Sequence, residues 1–165
     1  MPVPPARRDW RIGAIGTGFI MRDVHLAAYG KLGLNVTAIA GRRSSAAQEV
    51  AKARGIPRVY RSYEELMADE RIEVLDIAVP PDVQPRIIAE AVKHAGHIRG
   101  ILAQKPVAMN YRDALASVEA CERAGITLAV NQNMRYDQSI RALKTLLDRG
   151  DLGEPVLATI EMRAI

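Results

Sequence analysis

The sequence predicts an α/β fold: a doubly wound parallel sheet with helices on both faces. Three observations carry that expectation. Strand-like and helix-like stretches alternate through the first 149 residues. Several of the strands are continuous apolar runs, as in sheets covered on both faces. The residues least suited to a strand or a helix gather just after the strands: Gly16-Thr17-Gly18, Gly41 to Ser44, Pro80-Pro81 and Gln104-Lys105-Pro106. In such a sheet, ligands bind beyond the carboxyl ends of the strands.

Taken in order, Ile12 to Ile15 is a short apolar strand that runs into the 16–18 turn. Glycines there let the backbone turn tightly and come close to a ligand, and the N–H groups opening the next helix favour an anion. Helical periodicity covers 20–32, with Val24, Ala27, Ala28 and Leu32 expected on the inner face. A β-branched strand over 35–40 follows, then a turn at 41–44 and an alanine-rich helix over 45–54 that Gly55 and Pro57 end. Val59-Tyr60 is a brief third strand. Ser62 to Glu65 is a capping box opening a short helix. The fourth strand, over 73–79, stops at Pro80-Pro81, since proline cannot extend a central strand. A helix over 82–95, a fifth strand over 98–104, a helix capped by Asn110, a sixth strand over 126–130 and a helix over 138–149 complete the series. In the last helix, Ile140, Leu143, Leu146 and Leu147 share a face. Residues 156–165 alternate apolar and polar, the pattern of a strand wet on one side. A lone strand is not a stable element, so this one requires a partner.

Composition narrows the function classes. The 165 residues are 48% hydrophobic and 25% charged, ordinary for a globular domain with a sizeable core. No apolar run approaches a membrane span. Residues 1–10 hold prolines and arginines without an apolar core, so they are expected to be a flexible leader and not a secretory signal. Cys121 is the single cysteine, which excludes an internal disulfide and fits a reducing cytoplasm. Its helical setting suits an inert buried thiol. The net charge is +4, but the basic residues are scattered and only 4% of residues are aromatic, so no nucleic-acid partner is expected. His25, His94 and His97 lack metal-ligand spacing, and no metal is expected. Asp76, inside an apolar strand, reads as a structural hydrogen-bonding group.

Two places could carry chemistry. Gly41 stands where a NAD-binding fold offers an acidic residue to the ribose, and Arg42, Arg43 and Ser44 follow. Two arginines and a serine suit a 2′-phosphate, so NADP is favoured over NAD. The alternative is a pair of solvent-facing arginines. Lys105 ends a buried strand and precedes a proline. Such a lysine can hold a substrate hydroxyl or relay its proton, or it can simply reach for solvent. Gln104 beside it can bond a ribose or an amide without adding charge.

Together the segments GTGFIMRDVHLAAY, IAVPPDVQ, QKPVAMN and NQNMRYDQSIRALKTLLDRGDLGEPV resemble the Gfo/Idh/MocA family of NAD(P)-dependent sugar and polyol oxidoreductases. The resemblance covers nearly all of residues 11–162. It implies a Rossmann domain over 11–150 and, from 151, the start of an antiparallel α+β second domain that contacts substrate and often oligomerises. By position, Gly16, Thr17, Gly18, Phe19 and Ile20 would lie on the pyrophosphate. Arg42, Arg43 and Ser44 would meet the adenosine ribose or its phosphate. Val79, Pro80 and Pro81 would line the cofactor groove, with Gln84 and Gln104 beside it. Lys105 matches the lysine of the family's Glu-Lys-Pro motif, to which a substrate and proton-relay role is credited. Arg135 and Tyr136 match an Arg-aromatic pair near the nicotinamide.

Four departures stand out. Gln104 replaces the family's Glu, Gln84 replaces a common His, and Met21 replaces the small third residue of the glycine fingerprint. The second-domain Asp and His have no counterpart. The expectation is therefore a cofactor-binding domain of a longer sugar or polyol oxidoreductase, a possible homo-oligomer, inactive as these 165 residues alone. The alternatives are a non-catalytic dinucleotide-binding or sensing protein, or a module that assembles through its terminal strand.

Overall fold

The computed structural model describes residues 5–161. It contains one sheet of six parallel strands: β1 (Ile12–Ile15), β2 (Val36–Ala40), β3 (Arg58–Tyr60), β4 (Val74–Ile77), β5 (Gly100–Gln104) and β6 (Thr127–Asn131). Their order across the sheet is β3-β2-β1-β4-β5-β6. The chain winds outward from β1 to β3, returns to the other side of β1 as β4, and winds outward again to β6. The winding therefore reverses between β1 and β4, which opens a crevice beyond their carboxyl ends. Register brings the relevant turns to one level. Ile15 lies beside Ala40 on one side and Ile77 on the other, Ala103 lies beside Ile77, and Gln104 lies beside Asn131.

The apolar strands are explained by burial on two faces. On one face, α1 (Leu26–Leu32) and α2 (Ser44–Arg54) bring Leu26, Val50 and Ala51 onto Ala14 and Ile39. On the other, α3 (Tyr63–Met67), α4 (Gln84–Ala91) and α5 (Tyr111–Arg123) bring Leu66, Ile87, Ile88 and Cys121 to the core that holds Ile15, Leu75, Ile77 and Ile101. Cys121 is fully buried, and burial pushes its thiol up, as expected of an inert cysteine. The caps read from the sequence are present. Ser62 Oγ accepts from Glu65 N–H at 3.2 Å, and Asn110 Oδ1 accepts from Asp113 N–H at 3.0 Å. The return arm of the Ser62 box goes one residue further back: Glu65 accepts from Arg61 N–H.

The first helix departs from expectation. Ile20–His25 is a π-helical turn, closed by a Leu26 N–H bond to the Met21 carbonyl, and α1 begins only after it. Each i→i+5 bond adds a residue to the turn and rotates everything before it. The buried positions are therefore Met21, His25 and Leu26, whereas Val24 is 45% and Leu32 39% exposed. The helix expected over 82–95 is also shorter: residues 81–83 form a turn, α4 follows, and Val92–His94 is 3₁₀.

Residues 7–11 make defined contacts. Arg7 stacks on Trp10, its guanidinium carbon 3.6 Å from the ring centroid, and both Arg7 and Arg11 pair with Glu73.

The chain divides into two compact units, one ending at Asn131 and the other beginning at Gln132. The second holds a 3₁₀ turn (Asn133–Tyr136) and α6 (Gln138–Asp148), whose Asp137 carboxylate accepts from the N–H groups of Ser139 and Ile140. The shared face of α6 forms as expected, yet Ile140, Leu143, Leu146 and Leu147 are all exposed. The expected terminal strand is not seen over 156–161, where no ladder forms, and residues 162–165 lie outside the described chain. A β pattern without a partner strand has nothing to bond its backbone.

Candidate functional site

The crevice is built first from the β1 turn. Gly16 N–H donates to the Ala40 carbonyl and Ala78 N–H donates to the Ile15 carbonyl, both at 2.9 Å, so three strand ends are tied together. Gly16 sits at φ +118°, and a Cβ there would lie 2.3 Å from the Ala78 carbonyl oxygen. Thr17 presses its methyl toward Gly41, where a Cβ would lie 2.6 Å from it. That contact gives a physical reason why no acidic side chain stands at the end of β2. Gly18 is exposed, and no atom of the described residues lies within 4 Å of where its Cβ would be. None of the described residues requires glycine there. Phe19 and Ile20 follow, 66% and 38% exposed.

Beyond β1, β2 and β4 lies a cavity of about 360 Å³. Gly16, Arg42 and Val79 of the sequence-derived set line it, together with Gly41. Arg61, Tyr63 and Arg86, which sequence reasoning missed, also line it, and the Arg86 guanidinium lies 5.9 Å from the Tyr63 ring centroid. The signal for Arg61 was available, since it follows directly on β3 just as Arg42 follows nearly on β2. Arg86 is legible only once α4 is seen to border the crevice. Three arginines against Glu64 make the cavity a basic one. Arg43 occupies the position before α2 and Ser44 begins it; both are exposed and neither lines the cavity. Pro80 is exposed and Pro81 half-buried.

The second group surrounds the end of β5. Lys105 is exposed, and its ammonium has no hydrogen bond or ion pair among the described residues. Its backbone is held from two sides. Gln84 Nε2 donates to the carbonyls of Gln104 (2.9 Å) and Pro106 (2.8 Å), and Gln84 Oε1 accepts from Gln104 N–H (2.8 Å). The Lys105–Pro106 peptide is cis. Gln84 is fully buried, with its carboxamide committed to these three bonds, so it supports this turn and presents no surface to a cofactor. That corrects its place in the expected cofactor set. Gln104 Oε1 accepts from Lys105 N–H (2.8 Å), and its Nε2 faces His25 Nε2 (3.3 Å). Behind them, His25 Nδ1 and Tyr29 OH both meet Asp76 Oδ2, at 2.8 and 2.7 Å. Burial first, and then the Asp76 charge, push the Tyr29 hydroxyl far up, so it serves as a donor. Asp76 is the structural hydrogen-bonding group expected. Arg135 and Tyr136 belong to the second unit, in its 3₁₀ turn, both exposed.

Among the described residues no helix is long and apolar enough to cross a membrane, and no group of three or more His, Cys, Asp or Glu is placed so that it could hold a metal ion.

A six-stranded doubly wound sheet, with a glycine turn at its switch point and a basic cavity beside it, defines a dinucleotide-binding α/β domain. Residues 10–132 match the NAD-binding Rossmann fold of the Gfo/Idh/MocA oxidoreductases, and the chain belongs to that family. It is 33% identical over 151 residues to a D-apiose dehydrogenase of Paraburkholderia graminis, covering 91% of this chain and 39% of that one. A solved oxidoreductase from Thermotoga maritima superposes with TM-score 0.84 at 29% identity, over 90% of this chain and 46% of that one. An oxidoreductase from Agrobacterium radiobacter, solved with NAD+, L-tartaric acid and magnesium, gives 0.79 at 32% identity, over 89% and 42%. The chain thus spans roughly two-fifths of the length of the curated relative it matches.

Proposed function

We propose that this chain is the cofactor-binding part of an oxidoreductase that moves a hydride between a nicotinamide dinucleotide and a hydroxyl-bearing carbon of a sugar or polyol. The observation that carries the reading is the basic cavity at the β1–β4 switch point, bounded by Gly16, Arg42 and Val79. The open surface at Gly18 fits a group whose backbone approach is close, and a pyrophosphate is such a group. Gly16 to Ile20 hold that pyrophosphate through backbone N–H groups. Val79, Pro80 and Pro81 wall the groove. Arg42 and Arg61, with Arg43 and Ser44 at the same edge, take the adenosine ribose and its 2′-phosphate, which makes NADP the preferred partner over NAD.

When bound, the cofactor supplies or accepts the hydride at nicotinamide C4. Lys105 holds the reacting hydroxyl oxygen and relays its proton, a role its exposed ammonium leaves open to it. The sugar or polyol substrate class is supported by the relative named a D-apiose dehydrogenase.

The test is a paired titration of the purified chain with NADPH and NADH, followed by nicotinamide fluorescence. Tighter NADPH binding is expected, and Arg42→Ala should weaken NADPH by about tenfold while changing NADH little, the cost of one charged hydrogen bond. Equal or tighter NADH binding would reject the arginine assignment, and no binding of either would reject the site.

A further inference from the structure

Behind Lys105 runs a chain of hydrogen bonds whose direction can be read without ambiguity from one end. A backbone N–H can only donate, so the Lys105 N–H bond fixes Gln104 Oε1 as the acceptor. The other half of that carboxamide, the Nε2 donor, then faces His25 Nε2. Asn131 places its Nδ2 on the same nitrogen at 2.8 Å. Two donors meet at His25 Nε2, so that nitrogen accepts, and the imidazole proton sits on Nδ1 facing Asp76 Oδ2. Tyr29 donates to the same oxygen. Every bond therefore points inward, from the Lys105 backbone to a carboxylate that is 1% exposed.

We propose that His25, held as the neutral Nδ1–H tautomer by Asp76, is a positioning residue for Lys105, acting through the Gln104 carboxamide. His25 is 5% exposed and does not reach the surface. Its direct hydrogen bond to the turn is the one with Gln104. By accepting from Gln104 Nε2 it locks that side chain with its oxygen under the Lys105 N–H. Gln84 grips the same turn from α4 by its flanking carbonyls. The Lys105 peptide is thus clamped from the π-helical turn through His25 and from α4 through Gln84, and its side chain leaves a fixed backbone. A carboxylate at position 104 would accept from Lys105 N–H equally well, but would also demand a donor from His25. A glutamine there keeps His25 an acceptor, so residue 104 sets the state of the histidine. That this serves catalysis rests on the role proposed above for Lys105; the clamp itself does not.

The experiment is a long-range proton–nitrogen spectrum of the imidazoles, with amide exchange at Lys105, on the whole chain near neutral pH. His25 should show a protonated Nδ1 and a lone-pair Nε2. His97 supplies an internal contrast, because its Nε2 meets the Met67 carbonyl and must carry the proton. In Gln104→Glu, His25 Nε2 should gain a proton while Lys105 N–H stays protected. In Gln104→Met, which removes the acceptor, Lys105 N–H exchange should rise about five- to tenfold, one net hydrogen bond. The proposal is overturned by an Nε2–H tautomer in the wild type, by an unchanged His25 signal in Gln104→Glu, or by unchanged Lys105 exchange in a folded Gln104→Met. If Gln104→Met does not fold, the wild-type and Gln104→Glu spectra decide. Adding NADPH to the same samples separates the two readings. Absent shifts at residues 16–18 would count against the cofactor site alone and leave the His25 result standing.

Discussion

At the scale of single residues, the site depends on groups that tolerate little change. Gly16 combines a left-handed φ with a carbonyl oxygen 2.3 Å from any added Cβ. Gly16→Ala should therefore cost about 2–3 kcal/mol of stability, read as a lower urea midpoint, and should loosen the junction of β1, β2 and β4. Asp69 carries a charge that matters to pH behaviour. Arg71 beside it, against an opposing effect of burial and with help from the Tyr60 hydroxyl, holds its carboxyl well below the usual carboxylate range. A lowered folded-state value means that the unfolded chain binds the proton more readily. Asp69 therefore stabilises fully above the ordinary aspartate range, about pH 4, and loses its contribution as pH falls from there. Wild type should exceed Asp69→Asn by about 1–2 kcal/mol at pH 7, and the gap should shrink steadily below about pH 4. A gap that is flat with pH would refute the assignment. Of the expected site residues, Gly16, Arg42 and Val79 line the cavity, where their places just after strands put them. Gln84 was misread because a side chain's burial depends on its neighbours, and its three backbone partners lie 20 to 22 positions away in the chain.

At the scale of elements, local sequence was informative where local physics decides. Ser62 and Asn110 cap their helices as their spacing indicates. Asn110→Ala removes an acceptor for an otherwise unpaired N–H and should cost about 1 kcal/mol, or roughly 2–4 °C in melting temperature. Scanning calorimetry of the variant checks this. The segment after Gly18 shows the opposite case. Its apolar spacing fits an ordinary helix with Val24 inward, yet the π turn shifts the phase and buries Met21 and His25. An α-helical continuation would have carried His25 off the sheet face and away from Asp76. The buried His25–Asp76 pair compensates an irregular turn that propensity alone would not select. The terminal residues teach the same lesson in reverse. Alternation over 156–165 is a pattern of side chains, whereas a strand is a ladder of backbone bonds, and none forms over 156–161.

For the whole molecule, the governing fact is the reversal of winding between β1 and β4. A ligand seated there would touch turns from separate halves of the sheet and would bind only the folded chain. NADPH at about a hundred times its dissociation constant should therefore raise unfolding stability by about 2.7 kcal/mol, seen as a higher melting temperature that depends on ligand concentration. A melting temperature that does not move would argue against a preformed site. By itself the sequence determined the order of the six sheet strands and of the helices between them, the parallel two-faced sheet, the glycine turn and the family, because these follow from periodicity, apolar runs and residues next to one another in the chain. Only the tertiary structure decided which side chains meet. It brought Arg61 and Arg86 to the cavity, withdrew Gln84 into the interior, and joined His25, Asp76, Gln104 and Asn131 across 106 positions of sequence. Hydrogen-bond partners are chosen by distance in space, and helical phase by the packing that the rest of the sheet imposes.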